Sequence, residues 1–216
     1  FYSVTYTMLD NDTEGEIAFT AIAKDLAGNQ TVFTATSDNS SVKFDSSSPL
    51  ISSVYLQSNN RHPQYAKSGD NLSLFFTANE PIRASTVTFS GSMQAEVEDN
   101  GTSRFHADYY LQDNDTEGVI SFTASAEDLA GNITIFTTTS DNSSVIFDRT
   151  VPVLNQVSIS SGNTLSSARA KSGDNINLEF TASEALSYGS LCDACDAPQV
   201  YLCLLYTSPS PRAATL

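Results

Sequence analysis

The sequence predicts an all-β protein built from antiparallel sandwiches of two sheets. First, residues 10–45 recur as residues 113–148, with the shared strings DNDTEG, DLAGN and SDNSSV at a constant offset of 103 residues. The offset gives a repeat unit of about 100 residues, which is the size of a small domain rather than of one turn of a solenoid. Second, apolar residues alternate with polar ones throughout the unit, which is the pattern of half-buried strands. Third, a turn motif follows every 8–12 residues, as is typical of sandwiches.

The front half of the unit predicts four strands. Each is marked by apolar residues at every second position, and the second strand recurs after a copied KSGDN string. The inward residues are Val54 and Leu56; then Leu72, Leu74, Phe76 and Ala78; then Val87 and Phe89; and finally Ala95 and Val97. The copied second strand carries Ile176, Leu178, Phe180 and Ala182.

The back half predicts three or four more strands, which occur twice. In the complete unit, Phe105, Ala107, Tyr109 and Leu111 share one face of the first strand, and Ile120, Phe122, Ala124 and Ala126 point inward from the second. The last strands run through Ile135 and Phe136 and then through Val145 and Phe147. Their copies are Tyr2, Val4, Tyr6 and Met8; Ile17, Phe19, Ala21 and Ala23; then Val32, Phe33, Val42 and Phe44. Gly118 and Gly131, with their copies Gly15 and Gly28, are expected at positive φ in the turns between them.

The repeat register predicts one complete domain flanked by two partial ones. Residues 50–148 form the complete unit, residues 1–48 the back half of a preceding unit, and residues 153–186 the front of a following one. We therefore expect a fragment of a longer array, in which each partial unit exposes the apolar face that its missing half would cover. The short linkers FDSSSP and FDRTVP end in Pro49 and Pro152, which predicts limited swing between neighbouring domains.

Composition excludes several classes of partner. The formal net charge is −15, which disfavours nucleic acid and anionic membrane surfaces. The chain contains no apolar run long enough for a membrane span. It also contains no serine-hydrolase, phosphate-loop or zinc-protease motif, so we expect no enzymatic activity. Cys192 and Cys195 form a single C-x-x-C, whereas a zinc site needs four ligands.

The acidic turns predict a calcium site at each joint between units. In a sandwich of this topology, the DNDTEG turn and the end of the last strand lie at one pole. The predicted metal ligands at the second joint are Asp113, Asp115, Glu117, Asp148 and Glu184. Their equivalents at the first joint are Asp10, Asp12, Glu14, Asp45 and Glu80, with Asp128 as a further candidate. Clustered carboxylates suit Ca²⁺, which takes six to eight oxygen ligands, although Asp-rich turns also occur for backbone bonding alone.

Several of these strings together carry a resemblance to a known family. AKSGDNLSLFFTANE at 66–80, DTEGVISFTASAEDLAGN at 115–132 and the FDRTVP joint resemble bacterial-type immunoglobulin-like repeats of large surface adhesins and secreted multidomain proteins. The resemblance covers about residues 1–186 and implies immunoglobulin-like sandwiches in an exported, extracellular or cell-surface array. Residues 187–216 depart from it, and CLLYTSPSPR at 203–212 resembles a translated sequencing adapter, so we expect an artefactual tail.

Three hypotheses for function remain open from the sequence. The first is a structural spacer whose partners are the neighbouring repeats of the same chain, stiffened by Ca²⁺ at the joints. The second is an adhesion module that binds a cell-surface glycan or protein through the loops Asn79–Ala84 and Asp128–Asn132, with Arg83 as its anchor. The third is an accessory domain of a secreted enzyme.

Overall fold

The computed structural model describes residues 2–99 and 103–186, together with the backbone of 199–202 and 212–215. The described residues contain strands and no helix, and hence no helix that could cross a bilayer. The chain divides into two compact units, Phe1–Arg149 and Thr150–Leu216. The strands are β1 (Gly15–Glu16), β2 (Ala21–Lys24), β3 (Gln30–Phe33), β4 (Lys43–Phe44), β5 (Ile51–Ser58), β6 (Tyr65–Ala66), β7 (Asn71–Ala78), β8 (Ile82–Phe89), β9 (Met93–Asp99), β10 (Arg104–Tyr110), β11 (Gly118–Val119), β12 (Phe122–Asp128), β13 (Ile133–Phe136), β14 (Ile146–Phe147), β15 (Leu154–Ser161), β16 (Ile176–Ala182), β17 (Gln199–Leu202) and β18 (Arg212–Thr215).

Residues 50–148 form an antiparallel sandwich. Seven strands pair in the order β13-β12-β8-β9-β10-β7-β5, and a second sheet has the order β11-β14-β6 with one parallel pair. The long sheet curls, because Phe76 of β7 meets Phe136 of β13 edge-on at 5.1 Å although β7 and β13 are not neighbours in the sheet. The layer of β5, β7 and β10 therefore faces the layer of β8, β12 and β13, and the predicted all-β sandwich is confirmed.

The core lies between these two layers. Alternate residues of each long strand are buried, as in β7, where Leu72, Leu74, Phe76 and Ala78 all point inward. The inward positions predicted for β5, β8 and β12 are confirmed in the same way. The predicted positive φ angles of Gly118 and Gly131 are also confirmed, at 125° and 99°.

Residues 2–48 carry the same back-half sequence but bury little of it. β1 pairs with β4 and β2 pairs with β3, as β11 pairs with β14 and β12 with β13. The predicted strand at residues 1–9 is wrong over its described part, since residues 2–9 form no strand and Tyr2 and Val4 are fully exposed. Its copy, β10, pairs with β7 on one side and with β9 on the other, whereas residues 2–9 pair with no strand.

The second unit contains the copied front strands. β15 pairs with β16 in the register that β5 keeps with β7, including the irregularity marked by positive φ at Ser53 and Gln156. The apolar residues of β15, Leu154, Val157 and Ile159, are all exposed. The backbone of β17 pairs with that of β18, within the tail that we expect to be artefactual; Cys192 and Cys195 lie outside the described residues.

Candidate metal centre

The DLAGN turn after β12 is built around the carboxylate of Asp128. Its Oδ1 accepts the backbone N–H groups of residues 130, 131 and 132 at 2.7–2.9 Å. Its Oδ2 accepts the side-chain amide of Asn132 at 2.9 Å. Asp128 is almost completely buried, at 1% exposure. Burial alone would raise the pKa of Asp128, but these hydrogen bonds, first from Asn132, outweigh it and hold the pKa below its ordinary value.

The same turn attaches the preceding segment to the sandwich. The Nδ2 of Asn132 also donates to the backbone oxygen of Asp45 at 3.1 Å, and Thr134 Oγ1 donates to the oxygen of Pro49 at 2.6 Å. On the other side, Leu50 N donates to Asn79 Oδ1 at 2.8 Å. Pro49 is buried. Hydrogen bonds to Asn79, Asn132 and Thr134, which are distant in sequence, therefore fix the FDSSSP joint to the sandwich.

Three carboxylates meet at this joint. Asp45, Glu80 and Asp128 each place one oxygen within 4.8 Å of the others. Asp45 follows β4, Glu80 follows β7, and Asp128 ends β12. Such a spacing is short enough for one cation to touch all three, and oxygen-only donor sets suit Ca²⁺ or Mg²⁺. Ca²⁺ fits this set better, because Mg²⁺ demands stricter octahedral geometry.

Lys43 is a cation already attached to this group. Its Nζ lies 3.0 Å from Asp45 Oδ2 in an ion pair. The hydrogen bond to Asp45 and its charge raise the pKa of Lys43, and Glu80 contributes a smaller part. Lys43 therefore offsets part of the repulsion among the three carboxylates, and a divalent ion would compete with it.

The other residues predicted as ligands serve the turns. Asp12 and Asp115 each accept the hydrogen bond of a tyrosine hydroxyl and of a backbone N–H three residues earlier. Glu14 accepts Ser46 N, Ser46 Oγ and Ser47 Oγ, and Glu117 accepts Arg149 N. Glu14 and Glu117 thus tie their turns to the linkers, whereas Asp12 and Asp115 bind residues that precede their own turns. None of the four is a member of the three-carboxylate group.

The remaining predicted ligands are also accounted for. Asp10 and Asp113 are exposed at the starts of their turns. At the second joint, Asp148 donates its backbone N–H to Ala66, while Glu184 follows β16 in the second unit. Of the predicted sets, the structure thus brings together Asp45 and Glu80, with the further candidate Asp128.

Sequence reasoning did not identify Lys43 or Asn132 as parts of the joint. Asn132 recurs as Asn29, and the copied DLAGN string signalled a turn. Nothing in the local pattern indicated that its amide would reach the backbone of residue 45.

Comparisons with protein-family models, with curated proteins and with solved structures each found no match to this chain.

Proposed function

We propose that this chain is a spacer segment of an exported surface or secreted protein, in which immunoglobulin-like domains follow one another in tandem. The observation that carries the proposal is the hydrogen-bonded joint between the two sequence copies. Asn132, Thr134 and Asn79 each bind the linker at 45–50, so the linker is docked rather than free. A docked linker restricts the angle between neighbouring repeats, as a stalk requires.

Calcium binding at the joint is part of this proposal. Asp45 lies in the partial repeat of residues 2–48, whereas Glu80 and Asp128 lie in the sandwich of residues 50–148, so an ion held by all three would cross-link these two segments. The free energy of binding would add to the stability of the docked arrangement, since the ion binds it and not the separated one. The donor set of the three carboxylates supports this, and Lys43 sets the affinity by competing for Asp45.

The experiment is a Ca²⁺ titration of the full chain by calorimetry, with melting curves in Ca²⁺ and in EDTA. We expect binding of Ca²⁺, a higher melting temperature at saturation, and a gain of about 2.7 kcal/mol at one hundred times Kd. Glu80→Gln is expected to abolish the effect, whereas Glu16→Gln, an exposed acid outside the group, is the matched control. Lys43→Gln is expected to tighten binding, because it removes the competing cation.

The outcomes separate specific from diffuse binding. Equal heats for wild type, Glu80→Gln and Glu16→Gln would mean that the ion only screens a negative surface, and the calcium part of the proposal would fail. Melting curves that are identical in Ca²⁺ and EDTA would have the same consequence. The spacer proposal would survive that result and is tested separately by small-angle scattering of a tandem protein with two complete units, which must be extended with limited bending.

The alternative of an adhesion module acting through the loops 79–84 and 128–132 finds less support. Arg83, its one anchor, forms an ion pair with Glu127 on the neighbouring strand β12. The 128–132 turn is used by the joint through Asn132. Both features would have to be released before these loops could receive a partner.

A further inference from the structure

A shallow groove runs beside the edge strand β5, away from the joint. Its volume is about 380 Å³, and it lies between β5, the loop after it and the turn that precedes β14. Tyr55, Leu56 and Pro63 supply its apolar part. The remaining residues that line it are polar: Gln57, Gln64, Asp141, Asn142, Ser143 and Ser144. No lysine or arginine lines it.

The ring of Tyr55 is held in place by its neighbours on the outer face of the sheet. It stacks on Phe75 at 4.7 Å between centroids with an interplanar angle of 11°, and Phe75 stacks in turn on His106 at 5.9 Å. One face of the Tyr55 ring is therefore covered. Because β5 is the last strand of its sheet, the other face is directed past the sheet edge, and Tyr55 remains 38% exposed.

The internal repeat shows which of these side chains the fold requires. β15 keeps the buried residues of β5, with Val157 and Ile159 at the positions of Val54 and Leu56. The groove residues are replaced: Tyr55, Gln57, Pro63 and Gln64 correspond to Ser158, Ser160, Ser167 and Ala168. The Tyr55–Phe75 pair occupies the register position of Ser158 and Glu179. The following repeat therefore forms the same strand pair without the ring and without the amides.

The polar groups of the groove are available to a ligand. The side-chain amides of Gln57, Gln64 and Asn142 and the hydroxyl of Ser144 form no hydrogen bond within the described part of the chain. An amide offers both donors and an acceptor, and a hydroxyl offers both roles as well. This mixture matches the hydroxyl groups of a sugar, each of which also donates and accepts.

We propose that this groove binds a neutral saccharide, with one pyranose ring lying against the free face of Tyr55. The C–H groups on one side of a pyranose carry partial positive charge and are attracted to the negative face of an aromatic ring. An anionic glycan is disfavoured by the chain's net charge of −15 and by the absence of basic residues from the groove lining.

A peptide added as a further strand fits this edge less well. The backbone of β5 is already engaged there, since Val54 O accepts Ser140 N at 2.7 Å and Leu56 N donates to Ser143 Oγ at 2.8 Å. A strand-adding ligand needs those groups free. The saccharide uses side chains only, so it leaves these hydrogen bonds intact.

The test is an NMR titration of the full chain, labelled with ¹⁵N, with three probes used separately: cellohexaose, mannohexaose and a proline-rich decapeptide. We expect at least one neutral hexasaccharide to shift the amide signals of residues 55–57 and 141–144, with a Kd on the order of 1 mM for so open a groove. Tyr55→Ser introduces the residue of the following repeat and is expected to weaken binding at least about tenfold.

Two further variants control the experiment. Tyr110→Ser removes an exposed tyrosine that lies outside the groove lining and is expected to leave the affinity unchanged. Gln57→Ser with Gln64→Ala introduces the residues that the following repeat has in place of the two amides and is expected to weaken binding without altering the spectrum elsewhere. Saccharide shifts that persist in Tyr55→Ser, shifts caused by the peptide alone, or no shift with either hexasaccharide would each overturn the proposal.

Discussion

The two copies of the back-half sequence fold alike locally and differ in what they bury. Gly15 and Gly118 have φ angles of 128° and 125°, and Asn39 and Asn142 have 58° and 60°. Asp25 and Asp128 accept the same hydrogen bonds from the asparagine of their own DLAGN turns. Turn geometry is therefore set by the local sequence in both copies.

Burial follows a different rule. Phe122 is 6% exposed and its copy Phe19 is 43% exposed; Val145 is fully buried and its copy Val42 is 65% exposed. The difference arises because β5 to β9 cover the inner face of 104–148, whereas no equivalent layer covers 2–48 within its own sheets. Matched substitutions in the two copies can therefore separate local contributions to stability from those of the core.

The largest expected difference concerns the paired phenylalanines. Phe122→Ala should destabilise the sandwich by about 3–5 kcal/mol, because it removes a buried ring and leaves a cavity. Phe19→Ala should change the same transition by less than about 0.5 kcal/mol, as for an exposed position. Denaturant unfolding of the full chain, followed by circular dichroism, measures both. Equal effects of the two substitutions would mean that residues 2–48 are also packed in solution.

The sequence predicted the sandwich well because its signals are local or periodic. Leu72, Phe76 and Ile120 were assigned to the core from alternation alone, and each is buried. Alternation alone could not show whether residues 1–9 form a strand, because a strand also needs neighbouring strands to pair with. Its copy, β10, has the same alternation but is paired on both sides.

The candidate site was harder to predict than the fold. Asp115 and Glu117 were predicted as ligands because their turn lies at the same pole of the sandwich as the joint. In the structure, Asp115 accepts a hydrogen bond from Tyr109 and Glu117 accepts one from Arg149 N. The group that does form joins residues 45, 80 and 128, which are distant in sequence. Which carboxylates come together depends on contacts between residues distant in sequence, and these leave no periodic signal in the sequence.

The second comparison concerns the carboxylates of the two DLAGN turns. Asp128→Ala should cost about 1–3 kcal/mol, since it removes a buried carboxylate that accepts three backbone N–H groups. Asp25→Ala is expected to cost much less, because water can replace the lost acceptor in that exposed turn. Thermal melts of the two variants at pH 7 measure the difference. A larger loss for Asp25→Ala would contradict the assignment of stability to the buried turn.

Acidification should sharpen the same comparison. The pKa of Asp128 is lowered in the folded state, so its contribution to stability is present above the unfolded pKa of about 3.9. That contribution is lost as the pH falls through the folded pKa. Asp128→Asn, which does not titrate, should therefore lose less stability than wild type between pH 7 and pH 3. Urea unfolding at both pH values checks this, with Asp25→Asn as the control.

The smallest expected difference concerns the paired tyrosines. Tyr109 donates to Asp115 Oδ1 at 3.1 Å from a partly buried position, and Tyr6 donates to Asp12 Oδ1 at 3.0 Å from an exposed one. Burial, together with the hydrogen bond to Asp115, raises the pKa of Tyr109. Tyr109→Phe should cost about 0.5–1.5 kcal/mol, the net value of one such hydrogen bond, and Tyr6→Phe close to nothing. Because both tyrosines make the same bond, a cost found only for Tyr109→Phe would assign that cost to burial of the pair. An equal cost for Tyr6→Phe in the same unfolding measurement would instead assign it to the turn itself, independent of the core.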